Sequence, residues 1–242
     1  MATAAPIARA PAPAMTLVEH LSELRRRLAV ALVWVSLGAM IGFWQHEALF
    51  AWLLAPVKHL PLMVTSPTEG FRATVTVSLY AGLALAWPGV LAQLVGFVTP
   101  GLTPRERRAL VPALMLASGL FAFGVWLAYA TLLPAGIHFL VGFAPTEVSA
   151  MLSLEAYMGF AAGVVVAGGV MCQLPVALGL AAWLDLVTSA QLRQWRRYAI
   201  FGAFALAAVA SPAPDPLSQA LMVGVLMSLY EASAAAIRWA GK

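Results

Sequence analysis

Apolar residues are grouped along this chain in six runs, which are separated by short stretches rich in charged residues, proline or glycine. A helix that crosses a bilayer needs about 20 apolar residues, and four of the runs are long enough. The fifth run has 13 residues, from Tyr198 to Ala210, and the sixth begins at Leu217 and is interrupted by Glu231. The pattern predicts helical spans over about 28–44, 73–97, 109–133, 158–186, 198–210 and 217–237.

The stretch between the fifth and sixth runs reads SPAPDP, from Ser211 to Pro216. One long helix broken at this stretch is one interpretation. Three prolines and an aspartate within six residues favour a turn more strongly. We therefore expect an all-α integral membrane protein with six transmembrane helices, of which the last two are short and form a hairpin.

The composition agrees with a protein that is embedded in lipid. The chain is 62% hydrophobic and 10% charged, whereas about a quarter of the residues in a soluble domain are charged. The basic residues are scattered over several loops, which argues against a nucleic-acid partner. The one cysteine, Cys172, lies in an apolar run and is expected to be a buried core residue. The histidines are scattered and hydrolase and nucleotide-binding motifs are absent, so we expect no metal, no cofactor and no enzymatic activity.

The distribution of charge predicts the orientation. Twelve of the 14 lysines and arginines fall on one side of the predicted spans. The positive-inside rule makes that side cytoplasmic, and an even number of spans places both termini there. We expect a multi-pass protein of the cytoplasmic (inner) membrane. The cations assigned to the cytoplasm are Arg9, Arg25, Arg26, Arg27, Arg105, Arg107, Arg108, Arg193, Arg196, Arg197, Arg238 and Lys242, and those assigned to the other side are Lys58 and Arg72.

Outside the spans, the sequence predicts three kinds of segment. Residues 1–15 are rich in alanine and proline and are expected to form a flexible tail. Residues 16–237 form a single transmembrane domain, and 238–242 form a cytoplasmic tail. The two non-cytoplasmic loops, over about 45–72 and 134–157, are long for simple connections, so we expect short helices that lie over the outer surface.

Two acidic residues on the cytoplasmic side each have a structural and a functional interpretation. Glu23 lies four residues before Arg27, so a helix-surface ion pair worth about 0.2–0.5 kcal/mol is the plainer interpretation. Glu106 belongs to a capping box that begins at Thr103, just as Glu19 belongs to one that begins at Thr16. Two carboxylates on one face can also bind a cationic ligand, and arginine fits best because its planar fork pairs with both carboxylate oxygens.

Other polar residues mark helix ends or lie within the spans. Ser66-Pro67-Thr68-Glu69 and Thr188-Ser189-Ala190-Gln191 are cap patterns, each of which is expected to begin a helix. Gln173 lies midway along the fourth span, two residues before Pro175. An amide in hydrocarbon requires hydrogen-bond partners, so Gln173 either bonds to a neighbouring helix or lines a groove. Asp215, in the last outer turn, can cap the final helix.

Several of these segments, taken in order, carry a resemblance to a known family. They are HLSELRRRL (20–28), SPTEGF (66–71), FVTPGLTPRERR (97–108), the span containing Pro175, and SPAPDPLSQ (211–219) followed by LYE (229–231). Together they resemble the TatC family, the large polytopic subunit of the twin-arginine protein translocase. The resemblance covers about residues 16–235.

The resemblance implies a fold, partners and site residues. The fold is a curved, cupped bundle of six helices that acts as a receptor for signal peptides with paired arginines. The partners are small single-span subunits of the TatA and TatB type in a multi-copy complex, which exports folded proteins by using the proton-motive force. Glu23 and Glu106 are the implied contacts of the signal-peptide arginines. The implied supporting, groove-facing or partner-facing residues are Glu19, Arg25, Pro56, Arg105, Gln173, Asp215 and Gln219.

One position departs from the family pattern. The groove-facing polar residue of the fourth span is typically glutamate in the family, and Gln173 takes its place here. An amide has no titratable group, which argues against a proton relay at this point and leaves hydrogen bonding to a partner helix. A small-solute transporter or channel would require ionisable residues near the membrane midplane, and an intramembrane enzyme would require a nucleophile and a base. The sequence provides neither set.

Overall fold

The computed structural model describes residues 17–58, 61–98, 104–142, 152–210 and 216–241. For Leu17, Val98, residues 104–109 and Ala210, only the backbone is described. Several sequence predictions therefore lie outside the described residues, among them the tail over 1–15, the turn that contains Asp215, and Lys242 at the end of the segment 238–242.

Helices make up nearly all of the described chain, because a helix satisfies its own backbone hydrogen bonds in hydrocarbon. This confirms the predicted all-α class. The α-helices are α1 (Leu17–Trp44), α2 (His46–Leu54), α3 (Glu69–Val98), α4 (Pro104–Leu127), α5 (Leu133–Gly142), α6 (Leu154–Met171), α7 (Leu174–Trp183), α8 (Ser189–Gln194), α9 (Arg196–Ala210) and α10 (Pro216–Trp239). A 3-10 turn (Ala55–Val57) follows α2, a π-helical segment (Ala128–Leu132) joins α4 to α5, and two short strands are β1 (Leu62–Met63) and β2 (Leu152–Ser153).

Among the described residues, five helical segments are long and apolar enough to cross a membrane: Val18–Trp44, Glu69–Phe97, Leu110–Gly142, Leu154–Trp183 and Pro216–Trp239. Between the fourth and fifth of these lies α9, which has 15 residues and is therefore only about 22 Å long. The fifth predicted run is thus a short helix, as expected from the sequence. Exposed apolar side chains cover α1, among them Leu32, Val33 and Met40, as expected for a surface that faces lipid.

The last helix is longer than the sequence predicted. Glu231 does not interrupt it, and α10 continues for 24 residues, or about 36 Å. The carboxylate of Glu231 lies 2.7 Å from Nε of Arg196 on α9, so its charge is paired at the helix surface. The expectation of two short final helices is therefore wrong for α10.

The third and fourth spans also differ from their predicted form. The third is followed without a break by the π-helical segment and α5, so the helical segment continues beyond the predicted end at 133 to Gly142. The wide π turn immediately precedes Pro134, whose missing N–H disturbs regular helical bonding. The fourth span is divided at Cys172 and Gln173, because Pro175 in the first turn of α7 cannot donate a hydrogen bond back to α6.

Successive spans run in opposite directions and approach closely at glycines. Along α1 and α3, Gly38 faces Gly82, and the guanidinium of Arg27 lies against Gly96. Along α4 and α6, Gly124 faces Gly168. One end of the bundle therefore contains the start of α1, the end of α3, the start of α4, the end of α7, α8, the start of α9 and the end of α10. We call it the arginine end, because Arg25, Arg26 and Arg27 lie there, and we call the opposite end the loop end.

At the loop end, connections that are distant in sequence are tied together. Strands β1 and β2 pair in parallel, with Leu62 opposite Leu152. The hydroxyl of the buried Tyr157 donates to the carbonyl of Leu53 at the end of α2, at 2.5 Å. A short helix is present in the first predicted loop, namely α2. The core lies around α6, most of whose residues are buried against α3, α4, α10 and the π-helical segment.

Candidate functional site

Glu23 lies near the start of α1 at the arginine end, where its side chain is 21% exposed. Arg27, one turn later, places two nitrogens on the same carboxylate oxygen. Its Nε–H donates to Oε1 at 2.7 Å, and Nη2 lies 2.6 Å from that atom. Arg26 is farther away, with Nη1 3.9 Å from Oε2. The ion pair that the sequence spacing indicated is therefore present, and one guanidinium already occupies Glu23.

The end of α3 packs against this ion pair. A Cβ atom at Gly96 would collide with the guanidinium of Arg27, so the absence of a side chain there leaves room for the arginine. One residue farther along, the ring of Phe97 stacks on His20 with the centroids 4.3 Å apart. On the turns after and before Glu23, Arg27 and His20 thus contact the end of α3.

The other residues predicted for this end are located to different extents. Glu19 and Arg25 are exposed on the first two turns of α1. Arg105 and Glu106 lie in the first turn of α4, so their backbone is at the same end of the bundle as Glu23. Their side chains lie outside the described residues, as does Thr103 of the predicted cap.

An apolar groove opens between α3, α4 and α7 toward the arginine end. Its volume is about 410 Å³. Its walls are mainly aliphatic and include Leu94 and Val95 of α3, Leu114 of α4 and Leu180 of α7, and Trp183 also lines it. The groove is lined by the same end of α3 that contacts Arg27, because Val95 of the groove wall is next in sequence to Gly96.

Gln173 is a polar group in the wall of this groove. Its Nε2 donates to the carbonyl of Ala117 on α4 at 3.0 Å and lies 3.4 Å from the carbonyl of Gly169. Its buried Oε1 accepts no hydrogen bond within the described part of the chain. The amide therefore links α7 to α4 and also borders the groove.

Two further predicted residues lie away from the arginine end. Pro56 is half-buried in the 3-10 turn that follows α2. Gln219, in the first turn of α10, is half-buried, and its Nε2 lies 3.4 Å from the carbonyl of Phe204 on α9. Asp215 lies outside the described residues. The described positions are therefore not assembled into one site with Glu23.

Sequence reasoning missed the part that Glu69 plays at the loop end. As predicted, this residue begins α3, but its side chain is also only 2% exposed and accepts five hydrogen bonds. Oε2 accepts from the amide and hydroxyl of Thr65 and from the amide of Ser66. Oε1 accepts from the hydroxyl of Ser153 at 2.6 Å and from the amide of Glu155 at 3.0 Å. One carboxylate therefore joins the connection between α2 and α3 to the start of α6.

We expect Glu69→Gln to lower the thermal unfolding temperature by several degrees. Every partner of this side chain donates, and a glutamine NH2 group would face donors on one of the two sides. Thermal unfolding of the detergent-solubilised protein measures the effect. Ser153→Ala, which removes one donor of the five, is expected to cause a smaller shift. Glu47→Gln, an exposed change on α2, serves as the matched control, and equal unfolding temperatures for the Glu69 and Glu47 variants would contradict the assignment.

Apolar helices long enough to span a bilayer, together with their close packing at glycines, define a polytopic α-helical membrane protein. A family model described as Sec-independent protein translocase protein (TatC) matches residues 19–224. The chain is 35% identical over 228 residues to the Sec-independent protein translocase protein TatC of Synechocystis sp., covering 94% of this chain and 90% of that protein. It is 34% identical to the TatC protein of Deinococcus radiodurans, covering 89% and 83% of the two chains.

A solved structure gives the same result. The crystal structure of a twin-arginine translocase receptor, TatC, superposes with a TM-score of 0.82 at 33% identity, covering 93% of this chain and all of that one. The chain belongs to the TatC family, whose members are membrane-embedded components of a protein translocase and not enzymes. The resemblance inferred from the sequence motifs is therefore confirmed.

Proposed function

We propose that this protein is the translocase subunit that binds signal peptides with paired arginines, and that Glu23 and Glu106 bind those arginines. The contact between Glu23 and Arg27 supports the first assignment most directly. Because two nitrogens of a guanidinium fit one oxygen of Glu23, an arginine of a ligand can take the same place. Glu106 is proposed as the second acid because its helix begins at the same end of the bundle. Arg27 is then a competitor that the incoming arginine displaces.

The groove between α3, α4 and α7 is the proposed site for the apolar segment of the signal peptide. Its aliphatic walls match an apolar ligand. A peptide whose arginines bind at the arginine end would extend its following residues along α3 toward Leu94 and Gln173. In this arrangement, charge fixes the start of the peptide, and burial of its apolar segment supplies most of the affinity.

The remaining expectations from the resemblance belong to the same proposal. Six spans, with α9 as the short fifth, form a curved and cupped wall in the cytoplasmic membrane, with both termini in the cytoplasm. Single-span subunits of the TatA and TatB type bind to the outer turns and to the groove-lining helix. The residues proposed for these contacts are Pro56, Gln173, Asp215 and Gln219. The assembled multi-copy complex exports folded proteins by using the proton-motive force.

A photo-crosslinking experiment tests the receptor role. A photoreactive residue in place of Leu24, which is 44% exposed, lies beside Glu23 without removing it. We expect a twin-arginine precursor to crosslink there, and a precursor with paired lysines in the same positions to crosslink much less. The control is the same photoreactive residue at Phe71, which is 66% exposed at the loop end. Equal yields with paired arginines and paired lysines at position 24 would refute the proposal.

A further inference from the structure

We propose that the arginine end carries a binding site for the phosphate group of an anionic phospholipid, in a cavity between α8, α9 and α10. The cavity has a volume of about 430 Å³. Its polar lining consists of Ser189, Arg193, Arg196, Tyr230, Glu231 and Arg238. This site is separate from Glu23 and from the apolar groove, and it depends only on the membrane location of the protein.

The charge of the cavity is suited to an anion. Three guanidinium groups face it and one carboxylate opposes them, that of Glu231. That carboxylate is paired with Arg196 at 2.7 Å. Within the described part of the chain, Arg193 and Arg238 form no ion pair, so both are available to a ligand. Arginine is well suited to phosphate, because its planar fork presents parallel N–H donors to two oxygens.

The cavity wall is held in place by specific contacts. The hydroxyl of Tyr230 on α10 donates to the carbonyl of Leu192 on α8 at 2.6 Å, and Leu192 is 2% exposed. Helix α8 is itself begun by a complete capping box between Thr188 and Gln191, which confirms the sequence prediction. These contacts fix the backbone that carries Arg193 and Arg196 relative to the end of α10. The backbone that carries the exposed arginine side chains is therefore held by buried contacts.

Neighbouring residues favour a lipid over a soluble phosphate compound. Trp195 and Trp239 flank the arginines and are 49% and 87% exposed, as expected for aromatic rings at the level of lipid headgroups. Along α9, exposed Ile200, Phe201 and Phe204 follow Arg196 by one to two turns and would lie beside the acyl chains. Basic pockets between spanning helices are typical sites for anionic headgroups.

Native mass spectrometry of the full chain in detergent tests the proposal. The probes are phosphatidylglycerol and phosphatidylcholine with identical acyl chains. We expect phosphatidylglycerol to bind in preference, and each of Arg193→Gln and Arg238→Gln to weaken that binding by about fivefold. Glu231→Gln is expected to strengthen it, because the change removes the carboxylate that competes for Arg196. Arg26→Gln, an exposed arginine change at the same end of the bundle, is expected to leave the affinity unaltered.

Other outcomes overturn the proposal. Equal binding of the two lipids, or equal losses in the Arg26 and Arg193 variants, would show attraction to general positive charge instead of a site. Displacement of the lipid by millimolar glycerol phosphate would assign the cavity to a soluble ligand. Preferential binding of a polyglutamate peptide would assign it to an acidic protein segment. A separate control is thermal unfolding of the arginine variants without lipid. Unchanged unfolding temperatures would show that a loss of lipid binding comes from the cavity and not from a change in the fold.

Discussion

Replacing Glu23 with glutamine is expected to weaken binding of a twin-arginine signal peptide by roughly ten- to a hundredfold. A hydrogen bond to a charged group contributes about 1.5–3 kcal/mol, and 1.4 kcal/mol corresponds to a factor of ten in affinity. The glutamine has the same shape but no charge, so the expected loss is that of the charge-assisted bonds. This loss of affinity is expected because Glu23 is proposed to bind an arginine of the signal peptide.

Equilibrium binding of a fluorescent signal peptide to the detergent-solubilised protein measures the effect. Glu47→Gln makes the same chemical change on exposed α2 at the loop end and is expected to bind as the unaltered protein does. A peptide with paired lysines should be less sensitive to the Glu23 change, because an ammonium group cannot form the two parallel bonds of a guanidinium. If the Glu23 variant bound the twin-arginine peptide with unaltered affinity, the proposed contact would be wrong. The structural ion pair with Arg27 would then be the role that remains for Glu23.

Gly168→Ala is expected to destabilise the bundle by about 1–3 kcal/mol, the usual range for forcing extra atoms into a packed core. A Cβ atom at Gly168 would collide with Cβ of Ala128 and lie 2.8 Å from the carbonyl oxygen of Gly124. The second obstacle is backbone, so a change of side-chain rotamer cannot relieve it. Helices α4 and α6 would have to separate, and α6 is the central helix of the core.

Thermal unfolding of the variant beside Gly202→Ala and Gly119→Ala provides the comparison. No atom lies within 4 Å of a Cβ built at either control position, and alanine favours a helix over glycine by up to about 1 kcal/mol. We therefore expect the controls to be neutral or slightly stabilised, while Gly168→Ala unfolds at a clearly lower temperature. Equal unfolding temperatures for the three variants would mean that α4 and α6 separate at little cost.

Two predicted features of the spans differ from the structure. Glu231 was expected to interrupt the sixth apolar run, whereas α10 continues through it and its carboxylate pairs with Arg196, 35 positions earlier. The predicted third span ends at 133, whereas the helical segment continues through a π turn to Gly142. Hydropathy along the chain encodes neither the contact nor the irregular turn.

By itself, the sequence determined the class of protein and most of its spans, since apolar runs of sufficient length require a helix in hydrocarbon. It also determined the family, through motifs spread over the chain, and it located the caps at Glu69 and Thr188. The pairing of Glu23 with Arg27 was readable because residues four apart lie one above the other on the same helix face.

Only the tertiary structure decided which distant residues act together. Glu69 binds Ser153 across 84 positions, Gln173 bonds to Ala117 across 56, and Tyr230 reaches Leu192 across 38. The basic cavity likewise combines Arg193 of α8 with Arg238 in the last turn of α10. Such contacts depend on how the helices pack side by side. Periodicity along one helix indicates which face is apolar, but it does not indicate which other helix covers that face.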